Sequence, residues 1–70
     1  MSITKIIKIG GMSCGHCKAA VEKALSAIAG VSATVSLDAG TATVVATREV
    51  SDDELRKAVE EEDYEVISIS

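Results

Sequence analysis

The sequence predicts an α+β fold: a four-stranded antiparallel sheet with two helices on one of its faces. Three observations lead there. Four short segments read as strands, the first rich in β-branched residues and residues 31–37 in strict apolar–polar alternation, the period of a half-buried strand. Two other segments switch to a helical period, one after the first strand and one after the third. The chain has 70 residues, which makes residues 1–70 one small domain near the lower limit of a single core.

Each element has a local cause. Residues 3–9, ITKIIKI, are bounded by Gly10-Gly11 and place Ile3, Ile7 and Ile9 on one face. Lys5 shares that parity, which puts the start of this strand at an edge. Residues 16–29 are helical in period, with Cys17, Val21, Ala24 and Ile28 on one stripe and Ala20 and Leu25 beside it. Gly30 stands where a left-handed cap closes a helix. Residues 31–37, VSATVSL, alternate with Val31, Ala33, Val35 and Leu37 inward. Asp38-Ala39-Gly40 reads as a hairpin loop, and residues 41–47, TATVVAT, as the return strand with Ala42, Val44 and Ala46 inward. Ser51-Asp52-Asp53-Glu54 has the form of a capping box, Ser51 capping the helix and Glu54 reaching back. The acids also suit the positive end of the helix dipole. That helix runs to about Glu62, with Leu55, Ala58 and Val59 apolar, and residues 65–69, EVISI, form a last strand. The order β-α-β-β-α-β is the split arrangement of ferredoxin-like sandwiches.

Composition excludes several functions. No apolar run approaches the roughly 20 residues of a membrane span. The start, MSITKIIKIGGM, has neither the apolar stretch nor the cleavage site of a secretory signal, so a cytoplasmic chain is expected. Two cysteines cannot make a disulfide framework. With a net charge of −4 and a single ring, at Tyr64, the chain is a poor nucleic-acid binder, because phosphate contacts need clustered cations and bases need stacking partners. Charge is polarised: residues 1–35 carry +3 and residues 36–70 carry −7. The run Glu60-Glu61-Glu62-Asp63 reads first as a solvated helix face; its functional reading is a surface that steers a partner of opposite sign.

The chemistry sits in Gly11-Met12-Ser13-Cys14-Gly15-His16-Cys17. Two cysteines three apart, at the junction of a loop and a helix, bring two sulfurs to one point. The helix start supplies unpaired N–H groups and a partial positive charge, which favour thiolate over thiol, at Cys17 above all. Three readings compete. A redox pair shares this tetrapeptide with disulfide isomerases, but those sites carry a Trp before the first Cys and a facing cis-Pro. Here Ser13 precedes Cys14, and the chain has no Trp and no Pro. A structural zinc needs four ligands, whereas one chain offers Cys14, Cys17 and, with a fold-back, His16. A carrier of a soft, low-coordinate ion fits best: two thiolates suit Cu(I) and leave room for a third thiolate from a partner.

The stretch Gly11-Met12-Ser13-Cys14-Gly15-His16-Cys17-Lys18, then AAVEKAL and Gly30-Val31, resembles the heavy-metal-associated domain family, and within it the small bacterial copper chaperones. The resemblance covers essentially the whole chain, through the hairpin at Asp38-Ala39-Gly40 to Asp63-Tyr64-Glu65-Val66. It implies a ferredoxin-like fold that binds one Cu(I) through Cys14 and Cys17. It implies delivery to the amino-terminal domain of a copper-transporting P-type ATPase, which shares the fold.

Carried over residue by residue, the resemblance makes Met12 a packing residue under the loop rather than a thioether ligand. Ser13 stands where copper-type members carry a small neutral residue and zinc- or cadmium-exporting relatives often an acid. Tyr64 matches a ring beside the metal loop; its plainer reading is core. The chain departs from the family at Asp63, where glycine is usual. Asp tolerates a left-handed backbone better than most residues, so the turn is expected to survive. Lys18 is unfavourable against the helix dipole, which marks it as a counterweight to a nearby anion, the alternative being a solvated lysine. His16 reads as an exposed loop residue, with a nitrogen ligand in a dimer or a tuning charge as alternatives.

The resulting expectation is a non-enzymatic cytoplasmic copper carrier, monomeric when apo, with a copper-bridged dimer open to it. The alternatives are a thiol–disulfide protein, the same carrier handling Hg(II) or Zn(II), and a metal-binding domain of a transporter. The motif's nearness to Met1 favours a free-standing chaperone over the last of these.

Overall fold

The computed structural model describes residues 2–12 and 15–70. The elements follow in the expected order: β1 (Ile3–Gly10), α1 (Gly15–Ser26), β2 (Val31–Ser36), β3 (Thr41–Ala46), α2 (Asp52–Glu60) and β4 (Glu65–Ile69). The strands form one antiparallel sheet in the order β2-β3-β1-β4. β1 and β2 therefore run parallel with β3 between them, the split β-α-β of a ferredoxin-like sandwich.

Strand period and helix stripe meet in one core. Ile7 and Ile9 of β1, Val31 and Val35 of β2, and Ala42, Val44 and Ala46 of β3 are buried under Val21 and Leu25 of α1 and Leu55 and Val59 of α2. Ile7, Leu25, Leu55, Val21, Val44 and Val59 lose essentially all exposure. The register stacks these positions: Ile7 lies opposite Ala42 on β3, and Ala42 opposite Val35 on β2. Small residues on the central strand let the helices sit close, which is how a chain with one ring fills its interior.

Lys5 is the expected exception on the inward face. β1 is an interior strand, but its pairing with β4 begins only at Ile6, which exchanges N–H···O bonds of 2.9 Å with Ser70. Residues 3–5 extend past that end, and Lys5 there forms an ion pair with Asp52 at the start of α2.

Some ends differ from the sequence reading. α1 stops at Ser26 rather than near Ala29, because Ile28 N–H bonds Leu25 O at 3.1 Å, a tightened last turn. Gly30 then takes φ 78° as the left-handed position; a Cβ there would stand 2.9 Å from Thr47 Oγ1. α2 ends at Glu60 rather than Glu62, tightened by Glu62 N–H to Val59 O and Asp63 N–H to Glu60 O at 3.0 and 2.9 Å. β2 and β3 each end one residue early.

The capping box is half as expected. Ser51 Oγ accepts from Glu54 N–H at 3.2 Å. The Glu54 carboxylate does not supply the reciprocal bond; it lies 3.5 Å from the Arg48 guanidinium, a charged partner close at hand.

Candidate metal centre

The site is built where β1 runs out. Gly10 closes the strand, and Gly11 turns the chain with φ 87°, a conformation costly to any residue with a Cβ. Met12 follows, and α1 begins at Gly15. A central strand thus ends at the mouth of a helix whose first N–H groups have no helical partner. Cys17, third in α1, lies on the inward stripe with Val21 and Leu25 and is 8 % exposed. Ser13 and Cys14 lie outside the described residues. Among the described residues, no three His, Cys, Asp or Glu side chains gather as a metal-ligand group.

The neighbours sort clearly. Met12 is half-buried and packs against the core. Tyr64 is also half-buried and packed on the core. Its ring edge stands 3.9 Å from where a Gly11 Cβ would be, so the ring lies beside Gly11 as well as against the core. His16 and Lys18 are exposed, and His16 stands on α1 rather than in the loop expected from the sequence. The left-handed turn before Tyr64 survives without glycine: Asp63 adopts φ 66°.

Two features at this end are not visible as motifs. The β2–β3 turn reaches the lead strand, Gly40 O accepting from Ile9 N–H at 2.8 Å, and so backs the approach to the loop. The β1–β4 register slips between Lys8 and Ile9: Lys8 faces Ser68, Ile9 faces Val66, and Ile67 is the extra residue. The Ile67 side chain leans over Gly10, 3.4 Å from a Cβ that glycine lacks. Sequence signals existed in the Gly10 and Gly40 punctuation, but pairing decides what each glycine meets.

At the opposite end the helices are tied by side chains. Arg48 Nε donates to Ala29 O at 2.7 Å, its Nη1 donates to Glu49 O at 3.1 Å, and its Nη2 faces Glu54. Thr47 N–H donates to Gly30 O at 2.8 Å. A shallow cleft of about 710 Å³ there is lined by Lys5, Glu49 and the start of α2. It lies at the far end of β1 from the cysteines, so it is not the site of their chemistry. No helix among the described residues is long and apolar enough to cross a membrane.

Comparison with known proteins agrees with this geometry. The heavy-metal-associated domain profile matches residues 6–65. The copper chaperone CopZ of Staphylococcus aureus (strain JH9) is 43% identical over 65 residues, covering 90% of this chain and 96% of its own. Among solved structures, a CopZ metallochaperone superposes with a TM-score of 0.88 at 42% identity, over 93% of this chain and 100% of that one. The amino-terminal domain of a potential copper-translocating P-type ATPase from Bacillus subtilis, solved in the Cu(I)-loaded state, gives a TM-score of 0.85 at 34% identity, over 94% and 85%. Fold, βα junction and near-complete alignment coincide: the chain belongs to the heavy-metal-associated domain family.

Proposed function

We propose that this chain is a cytoplasmic copper chaperone, a carrier rather than a catalyst, that holds one Cu(I) between Cys14 and Cys17. The observation that carries the reading is the alignment, over nearly all of both chains, with a protein named as a copper chaperone. Chemistry supports it independently. Cys17 lies in the first turn of α1, where the helix start favours thiolate. Two thiolates satisfy a soft monovalent ion and under-coordinate zinc.

Such a site releases its cargo by exchange. A thiolate from the recipient adds to the copper, one of Cys14 or Cys17 leaves, and a second recipient thiolate replaces the other. The ion is never free in water. The recipient is the amino-terminal domain of a copper-transporting P-type ATPase. The likeness of the Bacillus subtilis domain supports that pairing, since donor and recipient sites of the same build exchange at small cost in either direction. Met12 packs beneath the loop, Ser13 keeps the site free of an extra acid, and Tyr64 shields it from water and oxidant. Lys18, exposed, lends positive charge near the thiolates, and His16 stands exposed beside it. Asp63 is the family departure that works against Lys18.

The test is a competitive Cu(I) titration against a chromophoric chelator, with Zn(II) in parallel, on the wild type, Cys14→Ser and Cys17→Ser. One tightly held equivalent of Cu(I), with Zn(II) much weaker and both variants defective, is the expected result. Metal retained after both substitutions overturns the reading. Insulin reduction at enzyme-like rates moves the pair to redox chemistry. Copper transfer to an isolated ATPase amino-terminal domain, followed by NMR, then tests the partner.

A further inference from the structure

One contact lies outside both the metal chemistry and the core: the Glu22 carboxylate, on α1, accepts a hydrogen bond of 2.8 Å from the backbone N–H of Val35 on β2. β2 is an edge strand, first in the order β2-β3-β1-β4. Its Val31 N–H bonds Ile28 O, outside the sheet, and its Val35 N–H bonds Glu22. The amides of odd-numbered residues, Ala33 included, therefore point away from β3. They are the groups an added strand would use.

An edge of this kind is normally blunted by a charge, a proline or a bulge on the strand itself. The other edge of this sheet follows that practice. β4 carries Glu65 at its start and the extra residue Ile67 in its register. β2 has none of these devices. Its sequence VSATVS is uncharged, free of proline and half β-branched, and its pairing with β3 is regular from Val31 to Ser36. Six residues of that composition are what self-pairing strands require. The small side chains Ser32, Thr34 and Ser36 are exposed and put no bulk in the way.

We propose that Glu22 is the guard of this edge: its carboxylate, supplied from α1, occupies the Val35 N–H and closes β2 to antiparallel pairing with β2 of a second copy. An acceptor already carried by α1 fills this N–H without the ordering cost of an incoming strand. The same side chain stands where that strand would lie. Symmetric pairing about Ala33 would bring Ser32 of each copy beside Thr34 of the other, a combination that contains no clash. The guard, and not β2, is therefore what keeps the chain monomeric at this edge.

The test uses the whole apo chain with a thiol reductant and a metal chelator, so that no metal bridge contributes to association. Sedimentation across a dilution series reads the oligomeric state, and amide hydrogen exchange reads Val35. Glu22→Ala is expected to associate on concentration, with exchange at Val35 in the dilute monomer faster by about tenfold or more. Glu22→Asp keeps the charge but shortens the reach, and is expected to associate as well. Glu22→Gln keeps an acceptor at the same reach and is expected to remain monomeric. Adding Thr34→Lys, a charge on the edge itself, is expected to return Glu22→Ala to monomer. A Glu22→Asp variant that stays monomeric overturns the proposal, as does a Glu22→Gln variant that associates equally. Should Glu22→Ala fail to fold, the Asp and Gln pair decides alone.

Discussion

The two ends of this molecule are held by different means. At the metal end the chain turns on backbone conformation: Gly11 at φ 87°, Gly40 at φ 66° and Asp63 at φ 66°. At the other end only Gly30 is left-handed among the described residues, and side chains tie elements together. Arg48 links the end of α1 to the start of α2, the Thr47 hydroxyl donates to Gly30 O, and Lys5 reaches Asp52. The contrast matches the proposed work. A site that exchanges ligands needs room around its sulfurs, so the fixed cross-links stand at the far end of the sandwich. Between the two ends runs a core of small aliphatics that serves both.

Four substitutions would break or sharpen this contrast. The largest effect is expected from Arg48→Ala. It removes hydrogen bonds to Ala29 O and Glu49 O and an exposed ion pair with Glu54, for a loss of about 1–2 kcal/mol. Urea midpoints would show it, with Cu(I) affinity unchanged; a matching loss of affinity would mean that the ends are not separate. Gly11→Ala forces a Cβ onto a left-handed residue and is expected to cost about 1–2 kcal/mol. Here the Cu(I) affinity should fall with stability, because the strain sits at the loop itself. Asp63→Gly relieves the one left-handed non-glycine among the described residues and is expected to gain about 0.5–1 kcal/mol by thermal unfolding. No gain would show that the Asp63 side chain itself supports the turn. Lys5→Ala should cost least, under about 1 kcal/mol, since Asp52 is half exposed. That cost should shrink further in about 1 M salt, where surface charges are screened.

Much of the scaffold was legible from residue order, for reasons that are local. The inward parities of β2 and β3, the Ser51 cap and the left-handed Gly30 each depend on neighbours within a few positions. The α1 stripe through Cys17 and Val21 follows from helical period, but the structure buries Leu25 and leaves Ala24 and Ile28 half-buried. Helix ends were less legible, because the last turn can tighten at no cost in hydrogen bonds, as at Ile28 and Glu62. Glu54 was misjudged for a different reason. Its local partner was Ser51, but Arg48, already fixed by Ala29 O, presents it with a charge. The Cys14 and Cys17 pair was readable as candidate chemistry, while the burial of Cys17 and the place of Tyr64 beside Gly11 needed the packing.

The sequence by itself determined the order of six elements, the inward parities of β2 and β3, and the pair of cysteines between the first strand and the first helix. These are properties of period and of residue chemistry, set over a few positions. Only the tertiary structure decided that β1 lies between β3 and β4, that Ile67 slips the register over Gly10, that Gly40 braces Ile9, and that Glu22 accepts from Val35 on the β2 edge. Each of these joins residues far apart in the chain. Such contacts are chosen by the global competition to bury apolar surface while pairing backbone groups, and no local pattern records its outcome.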